Sequence, residues 1–174
     1  MKKLVILAHP NMGSSVINKR WVEELSKHSG EVEVHDLYAS YPDWKIDVEK
    51  EQRLLEAHDT IVLEFPVQWF NCTPLLKLYL DDVFTYGWAY GSTGDKLKGK
   101  KLALAITTGS PTSVYSHDGK NGCTLDELFL PMKTTATFCG MQFCGIFTQG
   151  GSLSITPEQV DESAKRYLKF VEEL

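Results

Sequence analysis

The sequence predicts an α/β class: a doubly wound, five-stranded parallel sheet with helices on both faces, formed as one domain over residues 1–174. Two observations carry that prediction. Short apolar runs alternate with amphipathic stretches along the whole chain, the pattern of strands joined by crossover helices. Two of the runs, Leu4 to Ala8 and Leu102 to Ile106, are apolar throughout, as strands covered on both faces must be.

Five segments read as strands: residues 2–8 (KKLVILA), 31–37 (EVEVHDL), 59–65 (DTIVLEF), 101–107 (KLALAIT) and 141–147 (MQFCGIF). After the first, Ile17, Trp21 and Leu25 fall at helical spacing and form one stripe. Residues 48–57 predict a second helix with a weaker stripe, and residues 73–84 a more buried third. Residues 124–138 predict a fourth, with Pro131 placed to break it. The last helix has the clearest start, because Thr156-Pro157-Glu158-Gln159 supplies a capping Thr, Pro at the first helical position and Gln to close a capping box. Its stripe is Val160, Ala164, Tyr167, Leu168 and Val171. Five strands and five helices is the count of a flavodoxin-like sheet, whose strand order is 2-1-3-4-5. Two long irregular segments, residues 86–99 and 108–123, interrupt the pattern, and long loops in a compact domain are commonly functional.

Composition narrows the partners. A net charge of -5 and a charged fraction of 24%, with no basic run beyond Lys98 to Lys101, argue against a nucleic-acid surface. No apolar run approaches the roughly 20 residues of a membrane span, and the apolar stretch after Met1-Lys2-Lys3 is too short for a secretion signal. The expectation is a cytoplasmic protein without membrane insertion. Cys72, Cys123, Cys139 and Cys144 make no C-x-x-C pair and have no His at zinc-ligand spacing, so reduced structural thiols are expected and no metal site.

The chemistry-bearing residues sit after strands one, three and four. Residues 8–20 (AHPNMGSSVINKR) lead from the first strand into a helix through His9, Asn11, Gly13, Ser14 and Ser15, with Asn18 on the helix. A helix N-terminus has unpaired N–H groups and partial positive charge, so this loop can hold a phosphate; capping by Ser14 or Ser15 is the competing reading. It contains neither G-x-G-x-x-G nor G-x-x-x-x-G-K-[ST], which removes the Rossmann dinucleotide and P-loop readings. The third strand delivers Pro66, Val67, Gln68, Trp69 and Phe70, and the fourth Thr107, Thr108 and Gly109, followed by Tyr115. In a doubly wound sheet these strand ends face one crevice. Trp69 and Phe70 as core cover is the competing reading. A flat isoalloxazine ring, which needs apolar walls and backbone N–H groups at its edge, fits the three segments together.

These residues carry a resemblance. AHP followed by Ser15 and Asn18, then PVQWFNCTPLLKLYLDDVFTYGWAYG, then TTGSPTSVYSHDGKNG, is similar to the family of flavin-dependent NAD(P)H:quinone oxidoreductases. Within it the chain most resembles a short bacterial branch that includes ancillary flavoproteins of potassium efflux systems and general stress proteins such as general stress protein 14. The match runs from His9 to about Gly140. It implies that His9, Ser15 and Asn18 hold the flavin phosphate region, that Pro66, Val67, Gln68, Trp69 and Phe70 line the ring, and that Thr107, Thr108 and Gly109 hold its pyrimidine edge. Tyr115 would stand beside the ring at the substrate entrance. Trp88 and Tyr90 would contact substrate across a homodimer. A family histidine six positions after Tyr115 is Asn121 here, so the catalytic pair would be Tyr115 and Asn121, with His117 nearby in sequence. His28, His35 and His58 sit in helix or strand contexts and read as surface or satisfied residues.

The resemblance therefore implies two-electron, ping-pong reduction of a quinone or similar acceptor by NAD(P)H, through FMN or alternatively FAD. Two other readings stand beside it: a flavin-binding regulatory subunit of a potassium efflux transporter, and a one-electron carrier of flavodoxin type.

Overall fold

The computed structural model describes residues 2–28 and 30–174. Five parallel strands, β1 (Lys3–Leu7), β2 (Val32–Asp36), β3 (Thr60–Pro66), β4 (Lys101–Thr107) and β5 (Gln142–Gln149), pair in the order β2-β1-β3-β4-β5. The order reverses between β1 and β3, so a crevice opens beyond the carboxyl ends of the central strands. The helices are α1 (Ile17–Ser26), α2 (Leu37–Ser40), α3 (Val48–Glu56), α4 (Pro74–Val83), α5 (Leu125–Leu128), α6 (Leu130–Phe138) and α7 (Pro157–Glu173), with one 3-10 turn at Thr112–Val114.

Side-chain alternation divides the core into two layers. Leu4, Ile6, Ile61, Leu63, Phe65, Leu102, Leu104 and Ile106 face a large cluster closed by residues of α2, α3, α4 and α6. Val5, Val62, Ala103 and Ala105 face the other way, toward Ile17, Trp21 and Leu25 of α1 and Val160, Ala164, Tyr167 and Val171 of α7. The small alanines of β4 leave room there for large aromatics. Trp21 and Tyr167, both fully buried, stack with ring centroids 4.5 Å apart, and the Trp21 indole N–H donates to Ser163 Oγ at 2.8 Å. Full burial of side chains of this size stabilises the fold by roughly 1.5–3 kcal/mol each.

All five expected strands form within two residues of their expected limits. The helix count differs, with seven α-helices among the described residues instead of five. The added α2 is a single turn, started by Asp36, whose side chain accepts from the Ala39 N–H. The segment expected as one helix over 124–138 is two, because Pro131 lies in the first turn of α6 and cannot continue α5. A bulge in β5 places two residues, Cys144 and Gly145, opposite Ala103; Gly145 takes φ 111°, which a side chain would resist.

Candidate functional site

The loop after β1 runs straight into α1, whose N-cap residue, Val16, carries no capping side chain. The Ser15 hydroxyl oxygen accepts from the Lys19 N–H at 3.4 Å and so meets one N–H of the first turn, whereas Ser14 meets none. Ser14 instead turns back on Asn11, donating from its N–H and its hydroxyl to the Asn11 main-chain oxygen at 3.2 Å each. The backbone N–H groups of Val16, Ile17 and Asn18 therefore have no acceptor among the described residues, leaving the positive end of α1 bare. Beside them His9 Nδ1 accepts from the Asn11 N–H at 3.1 Å, which places the ring proton on Nε2 as a free donor. Burial holds the His9 pKa below its ordinary value against the opposing charge of Asp36, so the ring is neutral at pH 7.

These groups line a crevice of about 350 Å³ with Pro66, Val67, Gln68, Thr107, Gly109, Ser152 and Leu153. The ends of β3 and β4 are tied across it by the Val67 N–H donating to Thr107 O at 2.8 Å. The Thr73 hydroxyl donates to Ala8 O at 3.0 Å, fixing the start of α4 to the end of β1.

At its rim stands the Trp-Phe pair. Gln68 and Asn71 exchange both backbone hydrogen bonds, closing a two-residue turn with Trp69 at φ 47° and Phe70 at φ 62°. Two left-handed residues in succession mark a type I′ turn, which Asn-Gly ordinarily fills. Each non-glycine residue held there costs about 1–2 kcal/mol. The core does not repay this, since Trp69 is 94% exposed and Phe70 47%. Core cover is thus removed as a reading of Trp69.

Thr107 and Gly109 form the opposite wall, and Thr108 between them is buried away from it, with its N–H on Gln149 O and its hydroxyl on Ser110 O. Gly109 lines the crevice, and a Cβ there would make only ordinary contact with Leu153, at 3.6 Å, so packing does not demand glycine. Tyr115 is half-buried beside the Thr108 hydroxyl, and burial raises its pKa above 10, which keeps the phenol protonated. The Asn121 N–H donates to Val114 O at 3.1 Å and folds its loop back toward Tyr115. His117 points outward, with its ring 3.6 Å from Glu127 of α5.

Asn18 lies at the base of the crevice lining, only 1% exposed, with its amide committed to Glu64 and Thr107. Trp88 and Tyr90 do not join the crevice within one chain. The Trp88 indole donates to Glu56 at 2.7 Å on the α3 side, whereas Tyr90 stacks on Phe138 at 5.0 Å in a separate groove between α4 and α6. That groove begins at Asn71, the residue after the strained turn, and carries the exposed ring of Phe138 near Tyr86.

The sequence reading missed the loop after β5. Ser152 and Leu153 line the crevice, and Gly150 lets their loop pass the one after β4, since a Cβ there would lie 2.7 Å from the Thr112 nitrogen. Its signal was the Gly150-Gly151 pair directly after a strand. It also missed Glu64, whose signal was a single acid inside an otherwise apolar buried strand.

A family model described as flavodoxin-like fold matches residues 1–171. The chain belongs to this family. Among flavodoxin-like relatives, a Bacillus subtilis protein described as an uncharacterized NAD(P)H oxidoreductase, YrkL, is 47% identical over 171 residues, covering 98% of each chain. The crystal structure of general stress protein 14 from Treponema denticola, in complex with FMN, superposes with a TM-score of 0.94 at 44% identity over 99% of each chain. An NADPH-quinone reductase from P. pentosaceus superposes with a TM-score of 0.91 at 28% identity, over 100% of this chain and 99% of the other.

Proposed function

We propose that this flavodoxin-like protein is an FMN-dependent NAD(P)H oxidoreductase that passes two electrons to a quinone or similar small acceptor. The observation that carries the proposal is the Trp69-Phe70 turn. A chain that holds two aromatics in left-handed backbone, exposed at the rim of a crevice, gains a return on that strain only when a flat apolar surface covers them. Similarity to an FMN-bound protein and to an NAD(P)H oxidoreductase supports the cofactor and the donor. The quinone rests on the more distant reductase.

The donor set fits a flavin phosphate. Unpartnered N–H groups at the start of α1, the Ser15 hydroxyl and His9 Nε2–H would hold the phosphate region, without a lysine. Pro66, Val67, Gln68, Trp69 and Phe70 would wall the ring, and Thr107, Thr108 and Gly109 would meet its polar edge. The bound flavin supplies the redox chemistry, accepting hydride from NAD(P)H and returning two electrons to the acceptor.

The protein's own part is binding, orientation and proton supply. Tyr115, held protonated by burial, donates a hydrogen bond to the oxygen that gains charge on the acceptor. Asn121 can donate but cannot release a proton near neutral pH, so the net proton comes from water. One pocket then serves NAD(P)H and acceptor in turn, which is a ping-pong cycle. A second copy of the chain, packed on the α4/α6 groove, would bring Tyr86, Trp88 and Tyr90 toward the partner's crevice, and it supplies the occupant that the exposed rings of Tyr86 and Phe138 call for.

Reconstitution with excess FMN or FAD, gel filtration, heat release and mass identification tests the cofactor. One FMN per chain is expected. Protein that retains neither flavin refutes the proposal.

A further inference from the structure

Beneath the crevice floor lies a buried hydrogen-bond chain that the proposed chemistry leaves unused. The Tyr167 hydroxyl of α7 donates to Glu64 Oε2 at 2.9 Å, the Asn18 amide of α1 donates to Glu64 Oε1 at 3.1 Å, and the Thr107 hydroxyl of β4 donates to Asn18 Oδ1 at 3.0 Å. Glu64 and Tyr167 are fully buried, and Thr107 is the one link besides Asn18 that lines the crevice.

Donor and acceptor parity makes this chain two-state. With Glu64 ionised, both carboxylate oxygens only accept, so the Asn18 Nδ2 must face Glu64 and its Oδ1 must face Thr107. The Thr107 proton is then drawn down into the protein, and only lone pairs face the crevice. With Glu64 protonated on Oε1, that oxygen donates to Asn18 Oδ1, the amide turns over, and Nδ2 donates to Thr107. The Thr107 hydroxyl proton is thereby freed to point into the crevice. Protonation on Oε2 instead would strip the Tyr167 hydroxyl of its acceptor, and it has no other among the described residues. That loss costs about 1–3 kcal/mol in a buried site.

We propose that Glu64 is a positioning residue that sets, through Asn18, whether Thr107 offers the crevice a donor or an acceptor, and that binding an acceptor-rich ligand there takes up one proton at Glu64. The inference rests on the flavin reading of the crevice, because the phosphate, ring nitrogens and ring carbonyls of FMN are mainly acceptors. The charge around Glu64 agrees with the assignment. Facing it are Asn18 from α1, Tyr167 from α7 and the negative Asp36 at the end of β2, and no cation acts on it. Burial foremost, with Asp36 adding, raises its pKa to about 8, so both states lie within reach near neutral pH. His9, the other titratable group at the crevice, is held neutral by burial.

The test is calorimetric titration of FMN into the whole protein at pH 8.5 in buffers of different ionisation enthalpy, with FMN affinity measured from pH 7 to 9.5. Wild type should take up roughly half a proton or more per FMN, and its Kd should rise by roughly three- to tenfold between pH 8 and 9.5. In Glu64→Gln the Tyr167 hydroxyl claims the amide oxygen, so the Gln NH₂ faces Asn18 and the freed state of Thr107 is permanent. This variant should bind FMN with no proton uptake, no pH dependence over that range, and at pH 9.5 more tightly than wild type. Thr107→Val, which keeps Glu64 but cuts its link to the crevice, should also lose the uptake. Binding with no buffer dependence in wild type, or uptake that survives in Glu64→Gln or Thr107→Val, overturns the inference and leaves the flavin reading standing. Absence of any FMN binding in wild type overturns both.

Discussion

Gln68 and Asn71 lie opposite each other and exchange both backbone hydrogen bonds at 3.0 Å, which forces the two residues between them, Trp69 and Phe70, into left-handed backbone. The arrangement stores strain in the protein and sets two aromatic rings at the rim of the crevice. Replacing the pair with the residues this turn prefers separates the two effects.

Trp69→Asn with Phe70→Gly should stabilise the protein without flavin. Relief of about 1 kcal/mol at each position raises Tm by about 4–8 °C in a chain of this length. The same change should weaken FMN binding by tenfold or more, since the ring wall is lost. Thermal melts with and without FMN measure both, and the two must move in opposite directions.

Glu64 gives the protein a pH-dependent stability of its own. Its folded pKa lies above the ordinary value of 4.5, at about 8, so the folded state binds more protons than the unfolded chain across that window. This contribution to stability is complete below 4.5 and is lost as pH rises toward 8. Denaturant melts should show wild type weakening through that range relative to Glu64→Gln, and the difference should vanish at acid pH.

Much of this arrangement was legible in the sequence, and what was not has identifiable causes. The five strands stood out because burial on both faces leaves runs such as Leu4 to Ala8 with no polar residue. The loop before α1 and the Trp-Phe block stood out because they sit where strands end. The backbone strain was not, since φ at Trp69 follows from the Gln68–Asn71 pairing and no residue-level preference announces it. Asn18 was expected at the phosphate region through the family resemblance; that its side chain is committed to Glu64 and Thr107 was not legible, because those partners are distant in sequence. Trp88 was expected to reach substrate across a homodimer; its hold on Glu56 and Phe84 was not legible, since both partners lie outside its irregular segment.

Tyr115 is expected to act as a neutral donor. Tyr115→Phe should slow acceptor reduction by roughly ten- to a hundredfold, the low end of what general acid catalysis contributes, with less effect on flavin bleaching by NAD(P)H. Asn121→Ala should cost less. Because Asn121 does not titrate near neutral pH and His117 faces Glu127, turnover should show no inflection between about pH 6 and 7. An inflection there that disappears in His117→Asn would reassign the role to His117.

The dimer proposal predicts that Phe138→Asp, which places a charge on the exposed ring next to Tyr90, yields monomers in light scattering while leaving FMN bound. Acceptor reduction should fall at least tenfold if the partner completes the pocket. A monomeric wild type with full turnover contradicts it.

The most direct test of the central claim is an anaerobic titration of the FMN-reconstituted protein with NADH and NADPH, followed by addition of a quinone, with the visible flavin absorbance recorded throughout. The account predicts that one equivalent of a reduced nicotinamide bleaches the yellow band completely and that one equivalent of quinone restores it, with no accumulating one-electron species. A band that neither nicotinamide bleaches, or one that only a one-electron donor reduces, would contradict the claim that this crevice is the active site of an NAD(P)H oxidoreductase.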